Sequence, residues 1–435
     1  MTLSLAVARV VGDELVRVGT ITRAERSMPE AFSYASSYLE RDDASPLSLS
    51  LPLSAVTFNT HEMRPYFEGL LPEGPTREAL VSQIGLPADD YLALLAVVGL
   101  DCIGDVVIQP SDGIDDGLAM PWDGGTYVPM SSEDMRSSLL DLASLARSNG
   151  RARLSLAGTQ GKVGLAHLPE TPLEEGWLHP MDGAASTHIL KTSNLARIAE
   201  FEIVCMRAAR TCGLRAARTD VLSFGRPVAC IERYDRLATP EGKDLQVKRL
   251  HQEDLSQAFG VGAQAKYLEL EGGTYRSVAR LLEDLSPDPL GDIDQLARIA
   301  IFDYLAGNCD NHLKNLSILH EGRYVRLAPA YDIVCTTFFE RFSREMGRRL
   351  GSTRFIDDVR PSDFALLAKD LGMGVRRMRE ICSSLAEPFS EALLQAGEYG
   401  ADVIETLPYS AEDILEDARP RLEVVSAFAS GATKT

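Results

Sequence analysis

No CxxC pair, no long apolar run and no excess of basic residues occur in this 435-residue chain, and each absence excludes a class of function. The seven cysteines (Cys102, Cys205, Cys212, Cys230, Cys309, Cys335 and Cys382) are scattered and odd in number. That argues against a disulfide framework or a zinc ribbon and for a reducing compartment. The longest apolar run, Leu92 to Leu100, is far too short to span a bilayer. Met1 to Leu5 carries no basic residue, and Arg9, Asp13 and Glu14 interrupt the apolar positions, which does not fit a signal peptide. The expectation is a cytoplasmic protein with no membrane contact. With 44 Lys+Arg against 63 Asp+Glu, the net charge is -19. So acidic a chain is not expected to grip nucleic acid alone, because that affinity comes from neutralising phosphates, though it can sit on DNA beside a basic partner.

What is present reads as globular. The 45% hydrophobic content is ordinary, and 435 residues suffice for two or three cores. Leu3-Leu5-Val7 and Val16-Val18 alternate around Gly12-Asp13, a hairpin pattern. Residues 46–53 alternate strictly between prolines and read as a half-buried edge strand. A helix enters at Pro75-Thr76-Arg77, another spans 88–100, and 103–108 closes the block as a strand. Residues 111–130 are rich in Gly, Pro and Asp and read as a linker. Ser131 with Asp134 resembles a capping box opening a helix to about Arg147. Strands are expected at 154–156, 163–167, 187–191 and 228–232, with a helix from Glu202 to Cys212 ended by Gly213. From about Lys248 the pattern turns helical, notably at 296–308 and 361–426. The hairpin 316–327 turns at Glu321-Gly322.

The stretch 307–315, Gly-Asn-Cys-Asp-Asn-His-Leu-Lys-Asn, is followed by Tyr331-Asp332. Asp310, Asn315 five residues on, and Asp332 beyond a hairpin are the polar parts that phosphoryl transfer from ATP requires. In that reading Asp310 is the catalytic base. Asn315 and Asp332 hold magnesium, which takes few hard oxygens from protein and the rest from phosphates and water. The plain alternative is that Asp and Asn are common turn residues. Lys191 ends an apolar strand, where a kinase places its phosphate-contacting Lys, with Glu202 as candidate ion-pair partner; the alternative is a surface Lys. Residues 155–162 match neither G-x4-G-K-[ST] nor G-x-G-x-x-G, and by themselves read as a strand–turn–strand hairpin. Glu232-Arg233-Tyr234-Asp235-Arg236 is either a hinge whose backbone meets adenine or a surface charge run. His251 to Asp254 reads as a helix start rather than a metal site, since no second His lies at ligand spacing. Arg341, Arg344, Arg348, Arg349 and Arg354 read as a solvated face. Cys309 reads as a small buried residue.

Eight segments in order resemble HipA-type bacterial toxin kinases over nearly the whole chain. They are FEGLLPEG (67–74), CIGDVVI (102–108), SLAGTQGK (155–162), THILK (187–191), ERYDR (232–236), HQEDLSQAFG (251–260), GNCDNHLKN (307–315) and LAPAYDI (327–333). The resemblance implies an α+β, two-lobed, protein-kinase-like fold with a family-specific N-terminal subdomain and a mainly helical C-terminal lobe. The expected division is 1–110 for that subdomain, 111–130 for the linker, 131–247 for the N-lobe and 248–435 for the C-lobe. It implies a Ser/Thr kinase using ATP and Mg2+. ATP contacts would come from Ala157, Gly158, Thr159, Gln160, Gly161, Lys162, Lys191, Glu232, Arg233, Tyr234, His312, Leu313, Lys314 and Asn315, with Asp332 beside them. Ser155 matches the serine that family members autophosphorylate to disable themselves. The implied partners are a HipB-type helix-turn-helix antitoxin, through which alone DNA is reached, and a protein substrate; known substrates in the family include aminoacyl-tRNA synthetases. Thr159 and Gly161 depart from the usual loop residues, and Asn311 stands where relatives carry Gly or Arg. Rival readings are a small-molecule kinase of the aminoglycoside-phosphotransferase type, which shares D-x4-N, and a non-catalytic corepressor.

Overall fold

The alternating N-terminal segments form the strands Leu3–Val11 and Glu14–Arg23, joined by a turn in which Gly12 adopts φ 61°. They pair from Val11↔Glu14 out to Leu3↔Arg23, with a bulge after Val7. The computed structural model describes residues 2–111, 119–156, 161–193, 195–241 and 244–431. Their contacts divide into two units that interleave along the chain: 1–193, 230–264 and 319–323, then 194–229, 265–318 and 324–435. A linear reading of the sequence could not anticipate that interleaving.

In the first unit the opening hairpin is the middle of an antiparallel sheet. Glu30–Tyr34 and Phe58–Asn59 extend one side and Val106–Pro110 the other. Leu5, Val7, Val18, Ile21 and Phe32 meet Tyr66, Phe67, Leu92 and Leu95 in one fully buried core. Burying each of these side chains contributes about 1.5–3 kcal/mol, which holds the helices Thr60–Gly69, Gly74–Ile84 and Tyr91–Val98 on the sheet. The first of these helices was not anticipated, although Asn59 and Glu62 form its capping box.

Several local expectations are corrected. Residues 46–53 are not a strand: Ser48 and Leu51 close a tight turn. The Ser48 hydroxyl (2.5 Å) and the Leu49 N–H (2.9 Å) donate to Glu253, while Leu47 and Leu51 enter the core. The prolines at both ends lack donors for a ladder, so side-chain bonds replace it. The 111–130 stretch contains the strands Met120–Pro121 and Thr126–Pro129. The Ser131 capping box forms as read, but the helix is broken into Ser132–Ser138 and Leu142–Ala152, because Asp141 caps a second start. Leu154 makes one bridge to Asp101 rather than a strand, and 157–160 lie outside the described residues. Asp254 caps a short helix from Leu255 with Gln257 completing a capping box, as the helix-start reading of 251–254 requires.

The 232–236 segment is no surface charge run. Arg233, Asp235 and Arg236 are buried with Asp101 and Arg249. Arg236 lies 2.9 Å from Asp101 and 2.8 Å from Asp235, and Arg233 lies 2.8 Å from Asp235. Ser186 adds a backbone N–H and a hydroxyl to Asp101. Burial opposes ionisation of Asp101, but the charges of Arg236, Arg249 and Arg233 outweigh it and hold the carboxyl below its usual range.

In the second unit Ile198–Thr211, Thr274–Leu285, Pro289–Ala306, Pro361–Asp370, Val375–Glu398 and Leu407–Ala429 are helices. Phe201, Phe302, Phe364 and Phe389 are completely buried among them. Strands and helices in both units make the fold α+β. Among the described residues no helix is long and apolar enough to cross a membrane.

Asp101→Asn leaves three buried arginines against one carboxylate, and a loss of roughly 3–5 kcal/mol is expected, as when one member of a buried ion pair is removed. The carboxylate's folded pKa is depressed, so the stability it contributes is full above the unfolded value and is lost as pH falls below about 4. Thermal melts between pH 3 and 7 check both points: the variant should melt lower at pH 7 and show a shallower acid limb.

Candidate active site

The helix Pro289–Ala306 ends at Gly307, whose φ of 76° supplies the left-handed C-cap, so the chain turns away sharply before Asp310. A Cβ at Gly307 would stand 2.1 Å from the Thr337 hydroxyl, so glycine is required for space as well as conformation. The loop that follows is tied to the helix end by one carboxylate. Asp303, fully buried, accepts from Asn308 Nδ2 at 2.8 Å, from Asn311 Nδ2 at 3.5 Å and from Arg348 at 2.7 Å. Asn311 Oδ1 in turn accepts the backbone N–H of Arg348 at 3.2 Å. Burial pushes the Asp303 carboxyl up, against the pull of Arg348. Arg348 is 1% exposed, which corrects its assignment to a solvated arginine face; Arg344 does sit at the surface, paired with Asp357. Asn311, the departure from the family pattern, is a structural member of this network.

With the loop so fixed, Asp310 is half-exposed and its neighbours are oriented around it. The Asp310 carbonyl accepts the His312 N–H at 2.9 Å and Asn315 Nδ2 at 2.7 Å. A carbonyl only accepts, so the amide nitrogen of Asn315 must face it and Oδ1 faces the other way, as a hard oxygen ligand. Tyr331 donates to the Lys314 carbonyl at 2.6 Å, and its oxygen lies 2.7 Å from the Ser317 hydroxyl. That brings the residue before Asp332 against the residue before Asn315. A parallel bridge between Ala216 and Ala330 holds the same segment from behind. Asp332 adopts φ 60°, a left-handed conformation costing of order 1–3 kcal/mol for a residue with a side chain, and such strain gathers at functional positions. An Asn oxygen and one carboxylate fit Mg2+, which takes its remaining ligands from phosphate and water. Among the described residues no group of three or more His, Cys, Asp or Glu is placed to hold a metal.

The other candidates lie in the first unit. The strands Gly161–His167 and His188–Thr192 pair antiparallel, with Lys162 opposite Lys191. Like charges directly opposite each other destabilise a ladder unless other groups compensate them. Lys191 is buried at 8% exposure. Arg233 cannot offer its side chain to a ligand: the guanidinium is bound to Asp235, Ser186 and the Cys102 carbonyl. Its backbone N–H donates to the Thr187 carbonyl at 2.9 Å, while Glu232 is exposed and Tyr234 donates to Gln252. Ser155 is fully buried, and its hydroxyl donates to the Leu70 carbonyl at 2.6 Å. Ala157, Gly158, Thr159 and Gln160 lie outside the described residues. Glu202 belongs to the second unit and Lys191 to the first. Cys309 is buried, and burial pushes its thiol up to about 11, so it is no thiolate nucleophile.

Sequence reading missed Asp303, Arg348 and Tyr267. A signal for the first existed: an Asp on the buried face of an otherwise apolar helix needs a partner. Tyr267, whose hydroxyl donates to Asp310 Oδ1 at 2.5 Å, carried none.

Known proteins match this chain along most of its length. A profile described as HipA-like C-terminal domain matches residues 154–393, and one described as HipA N-terminal domain matches residues 10–109. Putative kinase Y4mE of Sinorhizobium fredii is 34% identical over 404 residues, covering 89% of this chain and 91% of that protein. Serine/threonine-protein kinase toxin HipA of Shewanella oneidensis is 27% identical over 383 residues, covering 85% and 83%. The fold is that of HipA in a solved complex of HipA, HipB and operator DNA from Shewanella oneidensis MR-1. The TM-score is 0.78 at 22% identity, over 98% of this chain and 99% of that one.

Arg348→Ala strands the Asp303 carboxylate, and a loss of roughly 3–5 kcal/mol is expected. Replacing both, Asp303→Leu with Arg348→Met, should restore part of it, because the uncompensated charge is gone while the Asn308 and Asn311 amides lose their acceptor. Urea midpoints of the three proteins check this.

Proposed function

The chain belongs to the HipA family, and from that premise we propose that it is an ATP- and magnesium-dependent serine/threonine protein kinase, the toxin of a toxin–antitoxin pair. The observation that carries the reading is the Asp310 loop. A half-exposed carboxylate stands over a carbonyl that orients Asn315, with the strained Asp332 segment tied alongside.

Asp310 accepts the proton of the attacking hydroxyl, and catalysis otherwise consists of positioning and charge neutralisation. Asn315 Oδ1 and the Asp332 carboxylate hold magnesium, which when bound neutralises charge on the phosphate oxygens. Lys191 and Lys162 bind phosphate from their paired strands; Ala157 to Gly161 and His312 to Lys314 are the further ATP contacts that the family resemblance implies. The backbone of Glu232 to Tyr234 meets the adenine. The first unit, with its N-terminal HipA block, favours this reading over a small-molecule kinase.

Ser155 serves as the self-inactivating phosphosite. Its hydroxyl is sealed against Leu70, so it must leave that position to receive phosphate. A phosphoserine carries close to two charges and cannot return to a dry site facing a carbonyl oxygen. Modification therefore keeps Ser155 out of its buried position.

The partner is a HipB-type helix-turn-helix antitoxin, through which this acidic chain reaches operator DNA as a corepressor while keeping its kinase activity. The substrate is a protein needed for translation, of the aminoacyl-tRNA synthetase kind. Incubation with ATP and magnesium followed by phosphosite mapping tests the proposal. Wild type should label Ser155, and Asp310→Asn should lose at least a hundredfold in rate. Equal labelling of both would remove Asp310 from its role.

A further inference from the structure

Tyr267 is a half-exposed aromatic residue that the mechanism above does not use. It lies between the short turn of helix Ala263–Ala265 and the helix Thr274–Leu285. Three contacts press this segment onto the catalytic loop, and a fourth ties it to Arg354. The Lys266 carbonyl accepts the Leu313 N–H at 3.1 Å, and the Tyr267 carbonyl accepts from Arg354 at 3.0 Å. The Tyr267 ring stands edge-on to His312, centroids 5.0 Å apart, and its hydroxyl donates to Asp310 Oδ1 at 2.5 Å.

The last contact has a specific chemical form. A general base receives a substrate hydroxyl as a short O–H···O⁻ bond from the solvent side, within 2.6–3.2 Å or tighter as the complex closes. The Tyr267 phenol makes that same bond to Asp310, the residue whose side chain is 53% exposed. The tyrosine itself is 46% exposed, so its ring can swing out without opening a core. Leu268 and Phe355, at 57% and 54% exposure, provide further apolar surface on the same unit.

We propose that the Tyr267 hydroxyl occupies the acceptor position of Asp310, so that a protein substrate binds by displacing it and Tyr267 determines which hydroxyls gain entry. This rests on Asp310 being the base. An acceptor serine exchanges its own hydrogen bond for the one Tyr267 loses, and only acceptors with enough surrounding contacts tip the exchange. Water and isolated alcohols gain nothing by it, which suppresses idle hydrolysis. Tyr267 is thus a specificity-determining residue.

The test compares wild type with Tyr267→Phe, which keeps the ring and removes only the competing donor. Both are titrated, with magnesium and a non-hydrolysable ATP analogue present, against a fluorescent peptide pool with central serine and a matched pool with central alanine. The serine pool should bind Tyr267→Phe roughly three- to tenfold more tightly than wild type, with the alanine pool unchanged, because a hydrogen bond to a charged group is being released. No gain for the serine pool, or an equal gain for both pools, overturns the proposal. Binding is read without turnover. Its outcome is therefore separate from that of the phosphosite mapping: phosphorylation of Ser155 that depends on Asp310, with no serine-specific gain here, sinks the role of Tyr267 and leaves the kinase reading standing.

Discussion

Asp303 sits near the end of an eighteen-residue helix, out of reach of water, and must be neutralised where it stands. Arg348 supplies the charge from the strand Glu345–Leu350, and Asn308 and Asn311 supply amide donors from the loop that follows the helix. Because an unpaired buried carboxylate costs several kcal/mol, the three partners cannot drift independently. The loop 308–311 is therefore held rigidly against the helix end, and Asp310 projects from it toward solvent. From the loop so fixed, the Asp310 carbonyl orients Asn315 and the Asp310 carboxylate receives the Tyr267 hydroxyl.

The first unit solves a related problem with a larger ionic cluster. Asp101 and Asp235 share Arg233, Arg236 and Arg249 in an environment closed to water, which joins the N-terminal block to the 232–249 hairpin segment. On the sheet nearby, Lys162 and Lys191 face each other in register. The buried arginines have carboxylate partners, so their charges are compensated where they stand.

The legible parts of the sequence were those governed by local rules. The opening hairpin, the Ser131 capping box, the Asp254 helix start and the helix before Asp310 depend on periodicity, caps and glycine conformations within a few residues. Residues 46–53 misled because alternation says which side chains are buried but not what satisfies the backbone. Glu253, some two hundred residues away, takes that role. The arginine run at 341–354 misled for a similar reason: Arg348 reads as a surface charge until Asp303 is seen beneath it.

By itself, the sequence offered the chemical parts: a carboxylate, an amide and a second carboxylate at Asp310, Asn315 and Asp332, and basic residues at Lys162 and Lys191. Residue types and short spacings carry that information, since reactivity belongs to side chains. Only the tertiary structure decided that Asp303 and Arg348 brace the loop, that Ser155 is sealed against Leu70 and that Tyr267 stands on Asp310. Those contacts join segments between forty-three and eighty-five residues apart, where packing and desolvation, not local preference, choose the partners.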